Sequence, residues 1–120
     1  MTQIKNSKRY DLEERTLRFA KEVIEFVSTL PKTMANIEIM KQVIRSSGSV
    51  GSNYIEANEA LSKKDFTMRV KICRKESKES GYWLRLIEVS EEDAEKRRQS
   101  LINEATELMK NFGSIVEKAK

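Results

Sequence analysis

Apolar residues recur along most of this chain at intervals of three and four, the repeat of a helix that buries one face. Leu12, Phe19, Val23, Phe26, Val27 and Leu30 carry the first such stripe. Asp11 stands ahead of it as an N-cap, Glu13 and Glu14 place acids in the first turn, and Pro31 closes the segment. A second stripe opens near Thr33 or Met34 and continues through Ile37, Met40, Val43, Ile44 and Ser47. Ser62-Lys63-Lys64-Asp65 has the spacing of a capping box, so a third helix starts there, with Phe66, Val70, Cys73, Ser77, Leu84 and Ile87 facing inward. Ser90-Glu91-Glu92-Asp93 is a similar start, and Ala94, Leu101, Ala105, Leu108, Phe112, Ile115 and Ala119 mark a fourth helix running to near the C-terminus.

One stretch sets propensity against periodicity. Ser46-Ser47-Gly48-Ser49-Val50-Gly51-Ser52 has the composition of a loop, and each glycine costs about 1 kcal/mol inside a helix. Yet Ile39, Val43, Ser47, Val50, Tyr54, Ala57 and Leu61 stay on one side of a wheel across the whole run, a phase that an intervening loop has no reason to keep. The pattern therefore predicts one long helix from about Met34 to Leu61, whose small residues admit a close neighbour. Four helices of about 30–45 Å joined by short connections make an all-α, antiparallel up-down-up-down four-helix bundle, in a single domain over residues 1–120.

Composition agrees, with 35% charged and 38% apolar residues and a single proline. Basic residues outnumber acidic ones 23 to 19, a mild excess that says little by itself. Its distribution says more: Lys63 to Arg85 holds eight basic residues against three acidic ones, so the rest of the chain is close to neutral. There is no histidine, and Cys73 is the only cysteine, which removes ordinary zinc, haem and imidazole-based sites and any intrachain disulfide; no cofactor or metal is expected. A reducing cytoplasm is the expected location. The first fifteen residues lack the apolar core of a signal peptide, and no stretch has the length and hydropathy of a membrane span.

On a wheel of the third helix Lys64, Lys71, Lys75, Lys78, Tyr82 and Arg85 share one face, opposite Phe66, Val70, Cys73 and Leu84. Cations in such a row can track a phosphate backbone and release its counterions, and Tyr82 offers a ring for an unpaired base. A solvated charged face is the plainer alternative. Between the two faces lie Ile72, Trp83 and Leu86, the expected boundary between subunits, although Trp83 could instead close one end of the core. Gln42, Arg45, Ser49, Asn53 and Glu56 run along one flank of the second helix. Arg45 and Glu56 are too far apart on it to pair, so their partners are expected on other helices or subunits, in a network that fixes register.

Catalysis finds little support. Gly48-Ser49-Val50-Gly51-Ser52-Asn53 lacks the Gly-Lys-Ser/Thr ending of a phosphate loop and follows no strand. Glu91, Glu92, Asp93 and Glu95 complement a helix dipole, and Cys73 has no base beside it.

The series Gln42, Arg45, Ser49, Asn53, Glu56, Ala57, Ser62, Phe66, Ser77, Glu79, Leu84 resembles the central motif of the bacterial four-helix-bundle family that includes proteins encoded in 23S rRNA intervening sequences. That resemblance implies a small antiparallel bundle assembled as a ring, typically a homopentamer. A related branch, the accessory proteins of diversity-generating retroelements, implies nucleic-acid binding through a basic barrel. The chain departs from the family where Ala57-Asn58-Glu59-Ala60-Leu61 replaces a Gly-rich stretch, and in the density of Lys and Arg on its third helix. The expected function is a non-enzymatic homo-oligomer that binds RNA or DNA with little sequence specificity. A protein-interaction scaffold engaging an acidic partner is the alternative, and an enzyme acting through Arg45 and Glu56 at a subunit junction is a third.

Overall fold

The computed structural model describes the backbone of residues 2–120 and the side chains of residues 11–120. Four helices follow in order, α1 (Thr2–Ser28), α2 (Met34–Asn58), α3 (Lys63–Leu86) and α4 (Glu92–Lys118). Each pair of neighbours runs antiparallel. Thr16 packs at Gly51 while Glu13 meets Asn58. Asn53 meets Arg69 while Ser46 meets Ser80. Arg74 lies at Gly113 while Arg98 reaches Leu84. Arg15 binds Glu104 while Arg97 lies over Phe26, which closes the square between α1 and α4. The bundle measures 47 × 22 × 19 Å.

The helix through the Ser/Gly run is continuous, as periodicity requires, because its small residues sit where neighbours come closest. Ser46 and Ser47 are buried, and Ser80 Oγ lies 2.9 Å from Ser46 Oγ and 2.8 Å from the Glu76 carbonyl. A methyl group at Gly51 would stand 3.0 Å from Thr16 Oγ1. Around this line Phe19, Val23, Phe26, Val43, Val50, Val70, Leu84, Leu108 and Phe112 form a fully enclosed core.

The N-caps follow side-chain chemistry. Thr33 accepts from the Asn36 N–H and Ser62 from the Asp65 N–H, each at 3.1 Å. Asn36, itself buried, bonds the Pro31 carbonyl and the Glu88 N–H, tying the first connection to the third. Arg98 bonds the carbonyls of Leu84, Arg85 and Ile87, satisfying the open end of α3.

Several expectations need correction. Asp11 is no N-cap: α1 begins at Thr2, since nothing between Thr2 and Asp11 breaks a helix. The second helix stops at Asn58, leaving Leu61 fully exposed in the connection instead of on the core stripe. The cap of α4 is Glu91, one residue after Ser90, with no side-chain capping bond. Ile37 and Ile44, expected inside with Val43, are exposed, while Ile102 and Val116 join the α4 core. In each of these last cases a neighbouring helix covers a narrower or shifted arc than the repeat alone suggests.

Candidate nucleic-acid interface

α3 is anchored by its inward residues Val70, Cys73, Ser77, Leu84 and Ile87, all buried, and this fixes what the opposite side presents. Lys64, Lys71, Lys75, Lys78, Tyr82 and Arg85 are all exposed. The rise of a helix spreads them over about 31 Å, with steps of about 4.5–6 Å from Lys71 onward. Among the described residues none of these five cations forms an ion pair, and two of the acids of α3, Glu76 and Glu79, are turned toward Arg45. Tyr82 is 57% exposed and meets the Trp83 ring edge-on, with centroids 5.3 Å apart, so one face of the phenol stays accessible beside the cations. The row ends at an open groove of about 830 Å³ between the start of α3 and the end of α4, edged by Lys63, Lys64, Lys71 and Lys120 with Met68 and Ala119 beneath.

The polar flank of α2 divides into two clusters. Arg45 accepts company from three sides: its Nε donates to Gln42 at 3.2 Å, Nη1 to Glu76 at 3.4 Å and Nη2 to Glu79. Glu79 also accepts from the Trp83 indole N–H at 3.2 Å. Farther along, Asn53 donates to Ser49 Oγ and accepts from Arg69. Glu56 stays exposed outside both clusters. The acidic partners of Arg45 therefore come from another helix, and they include Glu76, which is only 7% exposed. Sequence reasoning missed Glu76, since an acid in a Lys-rich segment reads as surface; the signal was its position one turn before Ser80 on the side facing α2.

Trp83 is half-buried and rests against the core, Ile72 is half-buried and Leu86 is 42% exposed. Burial pushes the Cys73 thiol up to about 12, and its Sγ lies 3.4 Å from the Val50 carbonyl, which makes it a packing residue and a poor nucleophile. Among the described residues no group of His, Cys, Asp and Glu is placed to hold a metal ion, and no described helix is long and apolar enough to cross a membrane.

Comparison with known proteins places the chain more narrowly than its geometry does. The family model described as 23S rRNA-intervening sequence protein matches residues 8–114. A protein of unknown function from the S23 ribosomal protein family of Bacteroides thetaiotaomicron has a similar structure: it is 31% identical, with a TM-score of 0.76 over 87% of this chain and 96% of its own. No curated protein matches.

Proposed function

The chain belongs to the 23S rRNA-intervening sequence protein family, and for this member we propose a non-enzymatic, homo-oligomeric bundle of the cytoplasm that binds RNA or DNA with little sequence specificity. The observation that carries this is the row Lys64, Lys71, Lys75, Lys78 and Arg85, exposed along one side of α3 without a single neutralising acid among the described residues. Solvated helix faces ordinarily intersperse both signs, and here Glu76 and Glu79 are drawn off to Arg45 on the α2 side. Tyr82 adds a stacking surface within the row. Ile72, Trp83 and Leu86 lie at a boundary between copies, and a pentamer is the count that the family resemblance implies.

Fluorescence anisotropy with a labelled single-stranded RNA and a duplex DNA of equal length tests the row. Five engaged cations give a slope of log K against log salt of about −3.5 on single strands and −4.5 on duplex, a loss of roughly 100- to 500-fold for a fourfold rise in salt. Replacing Lys71, Lys75 and Lys78 together with Gln leaves two cations and a slope shallower than about −2. Absence of binding at low salt, or a slope untouched by the three substitutions, removes the assignment. Equal displacement by polyglutamate reassigns the row to an acidic protein.

A further inference from the structure

We propose that Tyr82 makes the cation row of α3 selective for the strand state of its ligand: a single strand gains a stacked base there, and a duplex does not. The inference rests on the nucleic-acid reading above and narrows it to a ligand class. Tyr82 stands within the row and not at its margin. Lys78 lies four residues before it and Arg85 three residues after, so both are its neighbours on the helix surface. Along the axis they are about 6 Å and about 4.5 Å away. A strand laid on the row therefore meets a cation on either side of the ring. The acid nearest the ring on α3, Glu79, is taken up by Arg45 and the Trp83 indole N–H and is not left to repel a phosphate.

The ring is also held in place. Neighbours in sequence do not face each other on a helix, yet the Tyr82 and Trp83 rings meet edge-on, with centroids 5.3 Å apart and planes at 69°. Trp83 is itself fixed, because it packs against the core and donates to Glu79 at 3.2 Å, and Glu79 is bound by Arg45. The Tyr82 hydroxyl bonds to none of the described residues, so the contact with Trp83 is what orients the ring. A ring ordered in advance loses less rotamer freedom on binding than a lone surface tyrosine. What stacks on it is the face of a base. In a duplex those faces lie on one another and the grooves show only edges, so offering one means taking a nucleotide out of the helix. A single strand has faces already free, and stacking on an aromatic ring tolerates every base. Charge works in the opposite direction. The same five cations release about 4.5 counterions from duplex and about 3.5 from a single strand, so at low salt charge alone favours the duplex. A gain confined to single strands therefore belongs to the ring and not to the lysines.

Anisotropy titrations of the full-length chain at one low salt concentration test this with three labelled DNAs of equal length: oligothymidylate, the same strand paired with oligodeoxyadenylate, and a strand with abasic sites throughout. Tyr82→Ala is expected to weaken oligothymidylate binding by about 5- to 150-fold, the usual worth of one stacked base, and to leave the duplex and the abasic strand unchanged. Tyr82→Phe keeps the ring and drops the hydroxyl, and it is expected to bind all three as the wild type does. The abasic strand is the internal control, since it keeps the phosphates and removes what the ring would stack on. No loss on oligothymidylate, an equal loss on all three DNAs, or a Tyr82→Phe protein as weak as Tyr82→Ala overturns the selectivity and leaves the cation row standing. A wild type that binds none of the three overturns the nucleic-acid reading and this inference with it.

Discussion

Replacing Arg45 with Met removes the guanidinium and keeps most of the aliphatic stem, and it strands a carboxylate that the fold has taken out of water. The Glu76 side chain is 9% exposed, against 49% for Arg45 and 30% for Glu79. At 3.4 Å and an effective dielectric of 20 the gross Coulomb attraction is about 5 kcal/mol, most of which offsets desolvation. Losing one partner of a fully buried pair costs about 3–5 kcal/mol; half-exposure of Arg45 lets water reach the vacated space, so about 2–3 kcal/mol is expected here. Glu76→Leu is milder, within about 1 kcal/mol, because Arg45 keeps Glu79 at a wetter site. The double variant should recover most of the Arg45→Met loss, with a coupling of about 2 kcal/mol. Urea unfolding followed by circular dichroism and by the fluorescence of Trp83, the only tryptophan, reads all four proteins at one protein concentration, since the apparent stability of any chain that self-associates depends on it. With a slope of about 1.5 kcal/mol per molar urea, Arg45→Met lowers the midpoint by roughly 1.5–2 M. A loss under about 0.5 kcal/mol, or a double variant as unstable as Arg45→Met, would refute the claim that α2 and α3 are registered by a desolvated charge.

Two helical glycines give an internal contrast: Ala at Gly51 meets Thr16 Oγ1 at 3.0 Å, and that hydroxyl is held by the Leu12 carbonyl at 2.8 Å, whereas Ala at Gly81 meets only the Ala105 methyl at 3.7 Å. Gly51→Ala should cost about 1–2 kcal/mol net of the helix gain, and Gly81→Ala should add about 1 kcal/mol, seen in melting as a fall of about 4–8 °C and a rise of about 4 °C; like signs would contradict the close approach of α1 and α2. Cys73 predicts a pH dependence: its thiol is held up to about 12 when folded against 9.0 when free, so above pH 9 the unfolded chain loses a proton that the folded chain keeps. Stability should therefore be whole below pH 9 and decline from there toward pH 12, and the wild type should lose about 1.4 kcal/mol relative to Cys73→Ala between pH 8 and 10. A constant difference across that interval would show that the thiol is not sealed.

The sequence alone determines the four helices, because each carries a repeat long enough to outweigh local signals. The phase kept from Val43 through Ser47, Val50 and Tyr54 overrode the loop composition of the Ser/Gly run, and Ser62 marked the start of α3 through the bond its hydroxyl makes. The row from Lys64 to Arg85 was legible for the same reason, since the face opposite a buried stripe must be exposed. Periodicity gives the angle at which a residue leaves its helix but not where the neighbours stand, and only tertiary packing decided that. Ile44 lies one position from buried Val43 and faces outward because α1 closes on Gly51 but not on the next arc. Glu76 lies in a stretch of lysines and is buried because the serines of α2 let α3 approach closely enough to shut water out around it. Surface and interior are properties of the gap between two helices, and that gap is set by side chains on both.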